Sequence, residues 1–191
     1  MELYSTKAHN QANSKLIGDE PVWIFGYGSL IYKVDFPFIE CRTGYIKGWE
    51  RKFWMQSQDH RGTPEKPGRV LTIHQVNDAE CFGMAYLIDP VVLKDIDHRE
   101  QNGYLRQSLD VFTHCGEKLN AITYIGDPDA PVYQPESNNQ KLAEQIYKSI
   151  GPSGPNTDYL FNMADALRQY NENDSHIFDI EQHVKDIQAL K

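Results

Sequence analysis

The chain has 191 residues, a length that fits one domain and lies well above the size at which a single core becomes marginal. Hydrophobic residues make up 40% and aromatic residues 12%, ample for such a core. Nineteen basic against 27 acidic residues give a net charge of −8, which argues against a general nucleic-acid binder and leaves an anionic small-molecule substrate open.

The first twenty residues are polar and mixed in charge, with no apolar run of signal-peptide type. We read residues 1–19 as a flexible N-terminal tail and residues 20–191 as a single domain. No stretch approaches the ~20 apolar residues of a membrane span, so no membrane is expected as a partner. The three cysteines, Cys41, Cys81 and Cys115, lie far apart and form no CxxC pair. Neither a disulfide framework nor a zinc ribbon is suggested, and reduced thiols in a cytoplasmic protein are the expectation.

Taken in order, the chain opens its domain on Val22, Trp23, Ile24 and Phe25, the continuous apolar run of a fully buried strand. The run breaks into Gly26-Tyr-Gly-Ser29. Two glycines in four residues let the backbone take positive φ and approach a ligand closely, and successive N–H groups in such a turn can cradle an anion. A plain glycine turn has the same sequence. Residues 39–54 then read as two strands hinged near Gly44 or Gly48, and residues 58–68 as a long polar loop. Residues 69–75 and 81–88 read as a strand pair joined at Asn77-Asp78.

Pro90 suits the first turn of a helix, which Val91, Val92, Asp95 and Ile96 extend over residues 90–98. Residues 104–113 and 119–125 alternate as strands. Leu142, Ile146 and Ile150 predict a helix over 138–150. Asn156 or Thr157 can cap the next helix, with Leu160, Met163, Ala164 and Leu167 buried. Ile177, Ile180, Val184 and Ile187 predict a last one. Strands in the first two-thirds and helices in the last third predict an α+β fold. The expected form is a mixed or antiparallel β-barrel of six or seven strands, with helices packed outside and a helical C-terminal third.

Several chemistries lack their motifs. The seven histidines form no HxH or HExxH pattern, so no metal site is expected. GxSxG, P-loop and GxGxxG patterns are absent. Two polar clusters remain, Asp59-His-Arg-Gly-Thr-Pro64 and Asp97-His-Arg-Glu100. Each can equally be a solvated surface feature, and spacing alone does not single out Glu100 among the acidic residues.

Together the motifs are more specific. Phe25-Gly-Tyr-Gly-Ser-Leu-Ile31, Gly44-Tyr-Ile-Lys-Gly-Trp49 and Arg51-Lys-Phe-Trp54 resemble the ChaC-type γ-glutamylcyclotransferases. So do Asp59-His-Arg-Gly-Thr-Pro64 with Pro67-Gly-Arg-Val70, Arg99-Glu100 with Gly103-Tyr104, Thr123-Tyr124, and Gly151-Pro-Ser-Gly154. The resemblance runs in order over roughly residues 21–170. It departs from the family in the N-terminal tail and at His98, where the family more often has an apolar residue.

The resemblance implies a γ-glutamylcyclotransferase-like fold and a glutathione-specific lyase releasing 5-oxoproline and cysteinylglycine. The substrate's own α-amine attacks its γ-carbonyl, which explains a sequence without a serine or cysteine nucleophile motif. It assigns the general acid/base to Glu100, whose pKa burial would raise toward the working range. Substrate binding falls to Phe25, Gly26, Tyr27, Gly28, Ser29 and Leu30, with Tyr124 as a hydrogen-bonding aid. No cofactor and no obligate protein partner are implied. The alternatives are a cyclotransferase for γ-glutamyl amino acids or γ-glutamylamines, and a non-catalytic γ-glutamyl-binding module.

Overall fold

The computed structural model of the chain describes residues 4–14 and 18–190. They form two compact units, one of Met1–Glu50 with Ile73–Pro131 and the other of Arg51–Thr72 with Val132–Lys191. In chain order the elements are α1 (Lys7–Ser14), β1 (Val22–Gly26), a 3₁₀ turn (Ser29–Ile31), β2 (Glu40–Ser57) and β3 (Gly68–Ile88). A second 3₁₀ turn (Pro90–Val92) leads into α2 (Leu93–Glu100), β4 (Tyr104–Thr113) and β5 (Lys118–Gly126). The last third holds α3 (Asn139–Lys148), the short strands β6 (Ile150–Gly151) and β7 (Gly154–Pro155), α4 (Asn156–Gln169) and α5 (Ser175–Ala189).

The sheet closes into a barrel in the order β1-β3-β2-β4-β5. β1 runs antiparallel to β3, from Val22 opposite Ile88 to Gly26 opposite Met84. It runs parallel to β5 at Trp23–Ala121 and Ile24–Ile122, which makes the sheet mixed. β4 and β5 pair antiparallel from Tyr104–Gly126 to Phe112–Lys118.

The barrel has five strands, not the six or seven expected, because two apparent chain breaks are bends within long strands. Gly48 has φ +80° and Asp78 has φ +63°, both inside continuous strands. Glycine adopts that conformation freely and aspartate tolerates it, so each turns the strand without reversing it. β2 is therefore one 18-residue strand and β3 one 21-residue strand. The pair β6-β7 forms a separate two-stranded sheet.

In the first unit Ile24 and Phe25, neighbours on β1, are both buried, as an apolar run with two covered faces requires. In the second unit Leu142, Ile146, Leu160, Met163, Leu167, Ile177, Ile180 and Val184 are fully buried at the 3–4 spacing of α3, α4 and α5. Each such side chain contributes about 1.5–3 kcal/mol of burial. Phe53 joins this core edge-on to Tyr159, and its backbone N–H donates to His176 Nε2 at 3.0 Å.

Asn138 and Asp174 cap α3 and α5 by accepting from Lys141 N–H and Ile177 N–H. Asn156 is not the cap of α4, since it lies inside the helix with Pro155 before it. Fully buried, it accepts from Arg69 N–H at 2.6 Å and donates to Arg69 C=O at 2.8 Å. Its amide thus satisfies both backbone groups of a strand residue, as a neighbouring strand would.

The stretch read as a flexible tail contains α1, which docks in the first unit. Thr6 N–H donates to Gln101 C=O at 3.0 Å, and the buried Asn10 amide bonds to β4. A tail with no hydrogen-bonding partners would be free to move; this segment has them. Residues 1–3 and 15–17 lie outside the described residues. Among the described residues no helix is long and apolar enough to cross a membrane. No group of three His, Cys, Asp or Glu side chains there is placed to hold a metal ion.

Asn156→Leu is expected to strand both Arg69 backbone groups and to cost about 2–4 kcal/mol, read as a lowered urea midpoint at unchanged slope.

Candidate active site

The glycine turn leaves the end of β1. Gly26 is glycine because of close approach: a Cβ there would overlap the Leu30 side chain. Neither Gly26 nor Gly28 takes positive φ, contrary to the expectation, and Gly28 has φ −118° and ψ −129°. The turn winds at once into the 3₁₀ helix, whose first bond runs from Ile31 N–H to Gly28 C=O at 3.0 Å. The N–H groups of Ser29 and Leu30 precede that bond and take no part in the helical ladder.

The turn is pinned at three points. Thr123 Oγ1 donates to Phe25 C=O at 3.0 Å, Tyr86 Oη donates to Leu30 C=O at 2.7 Å, and Tyr27 Oη donates to Tyr124 C=O at 2.6 Å. Phe25, Tyr27 and Tyr124 are buried, while Gly28, Ser29 and Leu30 keep partial exposure. The part of the turn that carries the two N–H groups is therefore the part open to a ligand.

Glu100 is the last residue of α2, with its side chain 23% exposed. One carboxylate oxygen lies 3.0 Å from Arg99 Nε, and Arg99 also reaches Asp35 at 2.8 Å. Burial opposes the charge of the Arg99 guanidinium, and the Glu100 and Asp35 carboxylates outweigh it, so its pKa lies above the ordinary arginine value. His98 is exposed, where a polar side chain costs nothing.

One turn before Glu100 stands Asp97, which sequence reasoning left in a solvated charge cluster. Its carboxylate accepts from Tyr124 Oη at 2.6 Å and from Arg106 Nη1 at 2.9 Å. Arg106 and Tyr124 are directly opposite each other on β4 and β5, so one cross-strand pair aims both donors at one helix. Burial first, then the Asp97 carboxylate, holds the Tyr124 phenol far above its ordinary pKa, so it stays a protonated donor. The only signal in the sequence was the three-residue spacing of Asp97 and Glu100, which puts both on one side of a helix. Nothing in the sequence pointed to Arg106.

These bonds link the predicted residues in series. The turn joins Tyr124 through Tyr27, Tyr124 joins α2 through Asp97, and α2 carries Glu100. Two concavities lie in the same unit. One of about 440 Å³ is lined by Asp35, Phe36, Val92, Ile96 and Arg99, and one of about 650 Å³ by His9, Trp23, Arg106, Gln107 and Asn120. Glu100 and the glycine turn line neither of the two.

The mixed five-stranded barrel is a γ-glutamylcyclotransferase-like fold. A crystal structure described as a γ-glutamylcyclotransferase specific to glutathione from yeast superposes with a TM-score of 0.80. It is 28% identical and covers 87% of this chain and 96% of its own. Residues 22–187 match the family described as ChaC-like protein, and the chain belongs to that family. γ-Glutamylcyclotransferase 2-3 of Arabidopsis thaliana is 40% identical, covering 87% of this chain and 89% of that one. The glutathione-specific γ-glutamylcyclotransferase of Schizosaccharomyces pombe is 35% identical, covering 86% and 92%.

Asp97→Ala removes an anionic partner from the Arg106 guanidinium, itself 3% exposed, and is expected to cost about 3–5 kcal/mol. The cost is measured by chemical denaturation, where Tyr124→Phe, which leaves the Arg106 pair in place, costs about 1 kcal/mol.

Proposed function

We propose that this chain degrades glutathione, cyclising its γ-glutamyl group to 5-oxoproline and releasing cysteinylglycine. The observation that carries the reading is Glu100, a partly open carboxylate on the helix that Asp97 and Tyr124 tie to the glycine turn. The substrate is inferred from the glutathione specificity for which the Schizosaccharomyces pombe relative and the yeast structure are named.

The reaction needs no nucleophile from the protein. The α-amine attacks the γ-carbonyl carbon, the new C–N bond closes a five-membered ring, and the bond to the cysteinyl nitrogen breaks. Glu100 takes the proton that the attacking nitrogen loses and delivers one to the departing nitrogen. The N–H groups of Ser29 and Leu30 are donors for the oxyanion or for the γ-glutamyl carboxylate. Tyr124 acts through its backbone carbonyl on Tyr27 and its hydroxyl on Asp97, holding turn and helix in place. The protein then has to keep amine and carbonyl at about 3–3.5 Å, a geometry the free tripeptide rarely visits.

The name of the Arabidopsis relative carries no restriction to glutathione, so the substrate range is part of the test. Purified protein is incubated with glutathione, a γ-glutamyl amino acid and a γ-glutamylamine, and 5-oxoproline is followed by mass spectrometry. The expected outcome is 5-oxoproline with cysteinylglycine from glutathione alone. Reaction of the other two would keep the mechanism and overturn the substrate. No reaction at all would leave a binding module.

Glu100→Gln is expected to keep the melting temperature and lose nearly all turnover; an active variant would exclude Glu100 as the base. Gly26→Ala forces Leu30 and its N–H out of place and is expected to lower kcat/KM by about 10²-fold. Wild-type kinetics in that variant would remove the turn from the site.

A further inference from the structure

The segment before β1 precedes the part of the chain that matches the family, which begins at residue 22. It nevertheless bonds to the residues that follow Glu100. Thr6 donates twice to Gln101 C=O, from its N–H and from Oγ1, each at 3.0 Å. Asn10 donates to Tyr104 C=O at 3.0 Å and accepts from Arg106 N–H at 2.8 Å. Tyr4 Oη donates to the Asp127 carboxylate, and Asp127 N–H in turn donates to Gly103 C=O at 2.8 Å. Thr6 and Asn10 are buried.

Two of the targets, Tyr104 and Arg106, lie at the start of β4. β4 pairs with β5 from Tyr104 onward, whereas its pairing with β2 is at Thr113 and Phe112, at the far end. The Asn10 amide supplies to Tyr104 and Arg106 the donor and acceptor that a strand would. Gln101 C=O lies just past the end of α2, where carbonyls have no intrahelical partner and helices fray. Thr6 meets it with two donors.

We propose that residues 4–10 are a positioning element of the active site, with Thr6 and Asn10 fixing the end of α2 and so the Glu100 carboxylate. This rests on the reading of Glu100 as the base. Thr6 and Asn10 touch no reacting atom and act through Gln101, Tyr104 and Arg106. A base that can drift by about 1 Å loses rate steeply, while substrate binding at the glycine turn is left alone.

The test is steady-state kinetics of the full chain on glutathione for Asn10→Ala, Thr6→Val, Thr6→Ser and Glu100→Gln, with kcat referred to folded protein from thermal melts. Asn10→Ala is expected to lower kcat about tenfold or more with KM within about twofold. Thr6→Val is expected to lower kcat by a smaller factor, and Thr6→Ser, which restores the hydroxyl, to recover it. Should Asn10→Ala fail to fold, the Thr6→Val and Thr6→Ser pair decides. Wild-type kcat in Asn10→Ala and Thr6→Val beside an inactive Glu100→Gln overturns this proposal alone. A fall in activity that vanishes when referred to folded protein assigns the segment to stability and also overturns it. An active Glu100→Gln overturns the base assignment and this proposal with it.

Discussion

The Asp97 carboxylate accepts hydrogen bonds from two strands at once, and the placement of the site depends on that convergence. Arg106 and Tyr124 face each other across the β4–β5 ladder, so both donors reach Asp97 only in this register. A slip of one residue between the strands would put the two side chains on opposite faces of the sheet. The bonds are charge-assisted and largely shielded from water, where such bonds are about twice as strong as neutral ones. α2 is only eight residues long, too short to be stable by itself, so its position has to be imposed from outside. Register therefore becomes geometry at the one helix that carries the candidate base.

A second device recurs in each unit. Asn10 in the first and Asn156 in the second are fully buried, and each satisfies an N–H and a C=O of strand backbone. A primary amide carries one acceptor and two donors on a short stem, which makes it a compact stand-in for a strand residue. At Asn156 one residue, Arg69, is bonded through both its groups. At Asn10 the bonds fall on Tyr104 and Arg106, two residues apart, as along one edge of a ladder. An apolar side chain of equal size would fill the same volume and leave those groups without partners, at about 1–3 kcal/mol each.

How much of this could be read beforehand follows from the range of the interactions. The apolar run of β1, the 3–4 ladders of α3 to α5 and the turn after Phe25 are written in local periodicity, and all three were legible. Gly44 or Gly48, and Asn77-Asp78, read as chain breaks because such residues mark a turn and a bend alike; the positive φ falls at Gly48 and Asp78, and only pairing shows that each is a bend. Asn156 looked like a cap because asparagine before a helix usually is one; its actual partner lies 87 residues away. Asp97 and Arg106 are only nine residues apart, but they lie on a helix and a strand that only the fold brings together; the docking of α1 has no local mark, since its partner is 94 residues distant. Glu100 itself was reached through the family motif, since its neighbours in sequence are charged as well.

A substrate that brings its own nucleophile changes what a protein must provide. On the proposed reading no hydroxyl or thiol of the protein needs activating. What remains is to hold a carboxylate and a set of N–H groups still relative to a flexible tripeptide. The bonds found here are of that kind. Three pin the carbonyls and phenol of the glycine turn, two pin Asp97, and others fasten the chain beyond Glu100. Most of them end on backbone carbonyls, so they fix the main chain.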